Sequence, residues 1–254
     1  MGLPPGKSSP GGVWIADDFR DNLIIDRHDP VFSRMRASKI EHLRSENSED
    51  AVTWNVFRSL KQIASSSWLP ILTAKAFGGE GQHPSPPGSI SIWSSVPPPP
   101  SLRDQAREGN TEADIIIESA SWVWFIEAKY RNDISLRTKA NSDRNQILRN
   151  LDVGSHYAGD RDFSFSLLIL DPSYTQNGID IVQLYQDREL PRQLLAAHRP
   201  DGLKNWMAIS LLTWADLADV LQSVAASAPG HVEPGYAARA LEWMVDRWIV
   251  DIAV

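Results

Sequence analysis

The sequence predicts an α/β fold: a mixed central β-sheet flanked by helices. Three observations predict it. First, Asp114 to Lys129 reads D-I-I-I-E-S-A-S-W-V-W-F-I-E-A-K, two apolar strand-like runs joined by a short polar turn. Second, a helical pattern precedes this hairpin and another follows it. Third, further apolar runs at Phe163–Leu170 and Met207–Leu212 alternate with helical segments. Helices alternating with strands favour a sheet covered by helices over a bundle or a sandwich.

In chain order, residues 1–12 are rich in Pro, Gly and Ser and are expected to form a flexible tail. Residues 13–254 are read as a single domain. Its core spans about 46–170, and 171–254 form a C-terminal extension. Val31–Leu43 carries a weak helical pattern. Ser48 reads as an N-cap, because Glu49 and Asp50 follow it and suit the positive end of the helix dipole. Ala51, Trp54, Val56, Phe57, Leu60 and Ile63 then recur at helical spacing, which predicts a helix over Glu49–Ser65. Gly78–Pro100 reads as a Pro/Gly-rich loop around a short strand, Ser89–Ser94. After the hairpin, residues 131–142 read as loop, and Ser142 or Asp143 as the cap of a helix holding Ile147, Leu148 and Leu151. Asp171-Pro172 stops the strand before it. Trp214–Ser223 and Tyr236–Ile249 read as helices, with a loop at Ala226–Gly235 between them.

The chain has 254 residues, 42% of them hydrophobic, with ten Trp and no Cys. That length is enough for a sizeable core. The lack of Cys rules out a disulfide framework and thiolate metal ligands. No apolar run is long enough to cross a membrane, and MGLPPGKSSPGG lacks the apolar stretch of a signal peptide. A cytoplasmic protein without a membrane partner is the simplest reading. The net charge of −7 argues mildly against a generic nucleic-acid binder, but its distribution matters more. From Asp160 onward there are 13 acidic and 7 basic residues, so the first 159 residues are nearly neutral. Within them, Lys129–Arg149 holds Arg131, Arg137, Lys139, Arg144 and Arg149 against Asp133 and Asp143. A local basic patch of this kind can contact a phosphate backbone on an acidic protein, and it can equally be a solvated face.

The hairpin carries the chemistry. Side chains alternate along a strand, so Glu127 and Lys129 point to one face and Ala128 to the other. Antiparallel pairing can bring Asp114 beside Glu127. Two carboxylates at the edge of a core are costly unless paired, and a hard divalent cation with oxygen ligands relieves that cost. Asp114, Glu127 and the backbone carbonyl of Ala128 form such an oxygen set. Lys129 stands where it can orient an attacking water and offset charge developing on phosphorus.

Asp114 with Glu127-Ala128-Lys129 resembles the PD-(D/E)XK nuclease superfamily. The resemblance covers roughly residues 46–170 and implies a restriction-endonuclease-like core. Members often add a glutamate on an early helix and a glutamine on the helix after the E-x-K strand. Glu49 and Gln146 stand in those places, with Asp50 as the neighbouring alternative to Glu49. Glu112-Ala113 precedes Asp114 where the family pattern has a proline. The resemblance implies a metal-dependent endodeoxyribonuclease that hydrolyses phosphodiester bonds with a Mg²⁺-activated water, Mn²⁺ substituting. Asp114, Glu127, Ala128 and Glu49 would bind the metal, Lys129 would position the nucleophile, and Gln146 would complete the site. DNA is the implied partner. A homodimer and a partner protein in a defence or repair system are compatible with it. Two alternatives stay open: an inactive nucleic-acid-binding or regulatory module on the same fold, and a nuclease for RNA or single-stranded DNA.

Other motifs carry less. The six His form no H-x-H or H-E-x-x-H pattern, so a zinc site is not expected. The GGEGQ at 78–82 lacks the Lys-Ser/Thr of a P-loop. Trp54, Trp122, Trp124 and Trp214 sit at core-like positions, whereas Trp93, in a loop-like region, is the best candidate for base stacking.

Overall fold

The structure is a computed structural model that describes residues 4–78, 84–106, 108–137, 144–199, 202–203, 206–227, 232–247 and 249–250. Its strands are β1 (Gly6–Ser8), β2 (Trp14–Ala16), β3 (Ser89–Val96), β4 (Thr111–Glu118), β5 (Trp122–Ala128), β6 (Asp162–Ile169) and β7 (Trp206–Thr213). Its α-helices are α1 (Ala37–Leu43), α2 (Glu49–Leu60), α3 (Ser65–Phe77), α4 (Pro100–Ala106), α5 (Gln146–Ala158), α6 (Gln176–Tyr185), α7 (Glu189–Leu195), α8 (Trp214–Ser227) and α9 (Val232–Asp246). The chain divides into two compact units. The first combines residues 1–68 with 214–254, and the second runs from 69 to 213.

The first unit is helical, with a small hairpin. β1 pairs antiparallel with β2, so the expected flexible tail is structured over Gly6–Ser8. Ser9 closes the turn: its amide donates to the Val13 carbonyl over 2.7 Å, and its hydroxyl accepts from the Val13 amide. Pro/Gly/Ser composition suits a tight turn as well as it suits a tail. α2 begins as expected, with Ser48 Oγ accepting from Ala51 N over 3.1 Å. It ends at Leu60 rather than Ser65, and α3 restarts at Ser65. Val31–Leu43 splits into a 3₁₀ turn at Pro30–Arg34 and α1. Two buried asparagines tie loop to helix. Asn22 donates to the carbonyls of Leu43 and Ser45, and Asn55 donates to the Asn22 carbonyl while accepting from Ile24 N. α9 packs on α8 and on α2, and starts at Val232, inside the stretch read as loop.

The second unit is the α/β part. Its mixed five-stranded sheet has the order β3-β4-β5-β6-β7, antiparallel from β3 to β5 and parallel from β5 to β7. Ile115 faces Ile126 and Ile117 faces Trp124, which sets the hairpin register. Val123, Phe125, Phe163, Phe165 and Leu167 join Ile147, Leu148, Leu151, Ile179 and Val182 of α5 and α6 in one core cluster. Burying such side chains contributes roughly 1.5–3 kcal/mol each. Gly154 lets α5 lie against the sheet, because a Cβ there would meet the Phe163 ring at 2.4 Å. The other face of the sheet holds Trp124, whose indole donates to Ser166 Oγ over 2.8 Å, and Phe77 of α3 packs on it with centroids 5.0 Å apart. α6 and α7, between β6 and β7, lie in a segment that the sequence reading leaves unassigned.

Candidate functional site

The hairpin brings Asp114, Glu127 and Lys129 to one end of β4 and β5. The register Ile115 to Ile126 continues outward by one residue to Asp114 and Glu127. Asp114 Oδ2 accepts from the Ala128 amide over 3.0 Å, which places its carboxylate at the end of β5. Val123 and Phe125 point toward α5, so alternation sends Glu127 and Lys129 to that same side. Both are nearly fully buried, at 3% and 5% exposure. A charge so placed needs a partner. Lys129 Nζ donates to Glu127 Oε1 over 2.6 Å and to the Ala128 carbonyl over 2.9 Å. The Lys129 amide donates to the Leu168 carbonyl, which anchors the residue to β6 just past the end of β5.

α5 supplies the rest of the Glu127 environment. Gln146 Nε2 donates to Glu127 Oε1 over 2.5 Å, and Gln146 Oε1 accepts from Ser135 N. The Gln146 amide also donates to the Ser135 carbonyl, so loop and helix are locked together at this point. Asn150 Nδ2 donates to Glu127 Oε2 over 2.8 Å, from a position 3% exposed. The sequence reading missed Asn150. Its signal was spacing: Asn150 is four residues after Gln146, hence on the same helix face. The helix is capped by Asn145, whose Oδ1 accepts from Leu148 N, and not by Ser142 or Asp143, which lie outside the described residues.

Trp93 flanks the site from β3. The register pairs Ile92 with Ile115 and Ser94 with Ala113, so Trp93 falls opposite Asp114. It has φ +53° there, and Arg131, two residues after Lys129, has φ +56°. Left-handed backbone at two non-glycine residues beside one carboxylate pair marks stored strain, which concentrates at functional sites. Trp93, the best base-stacking candidate in the sequence, is only 9% exposed and is a packed side chain.

The loop after β5 is held by Asp133. Burial alone would raise its carboxyl, but donors from Ile134 N, Asn177 N, Asn177 Nδ2 and Gly178 N outweigh it and hold the group below the ordinary carboxylate value. Asp133 thereby caps the first turn of α6, whose own N-cap residue, Thr175, makes no side-chain capping bond.

Glu49 is the first residue of α2, in the first unit, and its neighbour Asp50 pairs with Lys39 over 3.2 Å. Arg144 is no surface cation. At 4% exposure it donates to Glu108 Oε2 over 3.0 Å and to Asp152 Oδ2 over 2.8 Å, within a buried network that also takes in Arg199 and His198. Two buried carboxylates hold it there, which removes it from the phosphate-contact set. Arg149 donates to the carbonyls of Gly109 and Asn110, and its Nε lies 3.0 Å from Glu108 Oε1 without hydrogen-bond geometry. Arg131 and Arg137 are exposed, and Lys139 lies outside the described residues.

The oxygen set suits a hard divalent cation in chemistry: two carboxylates and a carbonyl. Among the described residues no three His, Asp or Glu side chains gather closely enough to hold a metal ion, so two side chains and the Ala128 carbonyl are what this site offers. Glu127 Oε1 accepts from Lys129 and Gln146 and Oε2 from Asn150, so one acceptor site on Oε2 is left for a cation. No helix among the described residues is long and apolar enough to cross a membrane. No family model matches the chain, and no match is found among curated proteins or solved structures.

Proposed function

We propose that the chain is a metal-dependent nuclease that hydrolyses phosphodiester bonds, with DNA as substrate. The observation that carries this reading is the junction of β4, β5 and α5, where Glu127, Lys129 and Gln146 share one hydrogen-bonded cluster and Asp114 accepts from the adjoining Ala128 amide. When bound, Mg²⁺ would polarise a phosphoryl oxygen and lower the pKa of a coordinated water. Asp114, Glu127 and the Ala128 carbonyl would hold it. Lys129 would turn its ammonium from Glu127 toward the attacking water and the phosphate, where its charge favours the transition state. Gln146 and Asn150 would keep the Glu127 carboxylate in place while Lys129 moves. Arg131 and Arg137 would contact the backbone of the substrate.

One observation favours a second reading. Glu127 is already satisfied by three protein donors, which suits a binding or regulatory module that has no need of a metal. Cleavage decides between them. Plasmid, linear duplex, single-stranded DNA and RNA are incubated with Mg²⁺ or Mn²⁺, beside Lys129→Ala and Asp114→Ala. Metal-dependent cutting by the wild type that both variants lose supports the nuclease and names its substrate. No cutting of any substrate, together with no calorimetric Mg²⁺ or Mn²⁺ binding, would sink it and leave the module.

A further inference from the structure

The atoms that would ligate a metal at the end of β5 already hold a cation, the ammonium of Lys129. Its Nζ donates to Glu127 Oε1 over 2.6 Å and to the Ala128 carbonyl over 2.9 Å. Both acceptors belong to the oxygen set that suits a divalent cation. In an extended strand the N–H and C=O of one residue face the same neighbouring strand. The Ala128 amide donates to Asp114 Oδ2, so the Ala128 carbonyl, with Nζ on it, turns to the Asp114 side of β5. The ammonium therefore stands among the metal-ligand atoms and not outside them.

Charge makes the two cations rivals. Of the three donors to Glu127, only Lys129 is charged; Gln146 and Asn150 are neutral amides. The Lys129–Glu127 pair is buried, so solvent and salt screen it little. Two carboxylates and one ammonium leave the cluster one negative charge. A divalent cation added beside Lys129 turns that into an excess positive charge, and like charges repel strongly where water is excluded. A phosphodiester monoanion restores neutrality, and it gives Lys129 an acceptor outside the metal-ligand set.

We propose that Lys129 is the resident cation of this site and opposes divalent-metal binding until a phosphodiester draws its ammonium away. Metal and substrate then load together, and the site carries no tightly held metal at rest. The inference rests on the metal site of the nuclease reading, although not on cleavage itself. It separates two roles for Lys129. A lysine that only positioned a water would leave metal affinity unchanged when removed, whereas a resident cation raises that affinity by leaving.

Titration calorimetry of the full chain with Mn²⁺ and with Mg²⁺, in the absence of nucleic acid, tests it. Lys129→Met and Lys129→Gln both remove the charge. The glutamine keeps a hydrogen-bond donor for Glu127, which guards against loss of the fold, and circular dichroism checks both. Each should bind the metal about tenfold or more tightly than the wild type. Lys129→Arg keeps the charge and should stay within about threefold of the wild type. Thermal unfolding reads the same effect independently, since a ligand bound by the folded state alone raises the melting temperature. At one Mn²⁺ concentration the rise should be larger in Lys129→Met than in the wild type, and it should vanish when Glu127→Gln is added. No gain in affinity in either uncharged variant would overturn the proposal, and so would Lys129→Arg binding as tightly as they do. Wild-type cleavage without that gain would leave the nuclease reading and remove this one. A gain in the variants of a protein that cuts nothing would do the reverse.

Discussion

Asn150 donates its side-chain amide to Oε2 of Glu127 over 2.8 Å, from one turn beyond Gln146, which serves Oε1 of the same carboxylate. One helix face thus clamps both oxygens of a buried acid at the end of a parallel strand. Removing the amide in Asn150→Ala leaves Oε2 without that donor. The expected loss is about 1–3 kcal/mol of folding stability, the cost of an unsatisfied buried polar atom. Urea denaturation measures it. Asn150→Asp should lose more, because it sets a second carboxylate against the first. An unchanged midpoint in both variants would show that Asn150 does not hold Glu127.

Lys129 and Glu127 form a buried pair whose members cannot be removed one at a time. Lys129→Ala leaves the carboxylate without its counter-charge and should cost about 3–5 kcal/mol. The double variant Lys129→Met with Glu127→Gln should recover much of that stability and none of the proposed cleavage. Thermal unfolding of the single and double variants gives the coupling directly.

Arg144 and Arg137 make a contrast between a buried cation and an exposed one. Arg144→Ala removes the cation that Glu108 and Asp152 share, leaving them Arg149 and Arg199, and should destabilise the protein by about 1.5–3 kcal/mol. Arg137→Ala should leave stability within about 0.5 kcal/mol of the wild type. If Arg137 contacts a phosphate backbone, its loss should weaken nucleic-acid binding equally across sequences and flatten the salt dependence. Filter binding over a salt series checks this.

Asp133 has a pH signature. Its folded carboxyl lies below the ordinary value of 3.8, so its contribution is present above that pH and is lost as pH falls through the lower folded value. The stability gap between wild type and Asp133→Asn should therefore be constant at neutral pH and narrow in the acid range below about 3.8. As a helix cap the residue is worth about 1 kcal/mol at neutral pH. Chemical denaturation at several pH values follows the gap, and a gap that widens on acidification would contradict the assignment.

Gly154 tests the packing of α5. A methyl group there would lie 2.4 Å from the Phe163 ring and 3.0 Å from that of Phe125. Gly154→Ala gains helix propensity, but overpacking should outweigh it and destabilise by about 1–3 kcal/mol. A higher melting temperature would show that α5 can lift from the sheet at little cost.

The sheet and its hairpin were legible because their signals are local. Ile115–Ile117 and Trp122–Ile126 are too apolar to lie anywhere but inside, and Ser119–Ser121 can only be a turn. Ser48 announced α2 through a capping bond made within three residues. α6 and α7 were less legible: Gly178, Ile179, Val182 and Tyr185 are the buried residues of α6, and that pattern is short. Its start depends on Asp133, more than forty residues earlier, supplying the cap. The expected tail failed for the same reason, since the pairing of Gly6–Ser8 rests on Trp14–Ala16 and on a Pro4 carbonyl that accepts from the Trp14 indole.

What the sequence by itself determined is the order and type of most elements, and the residue types at the end of the hairpin. Alternation on β5 put Glu127 and Lys129 on one side, and Gln146 stood on the helix that follows. The tertiary structure alone decided which charges meet. It sank Arg144 between Glu108 and Asp152, added Asn150 to Glu127 and set Trp93 opposite Asp114. Periodicity reports which face of an element is buried, because burial acts on each side chain in turn. The partner of a buried charge is chosen by chain segments far apart in sequence, and only the folded packing brings those together.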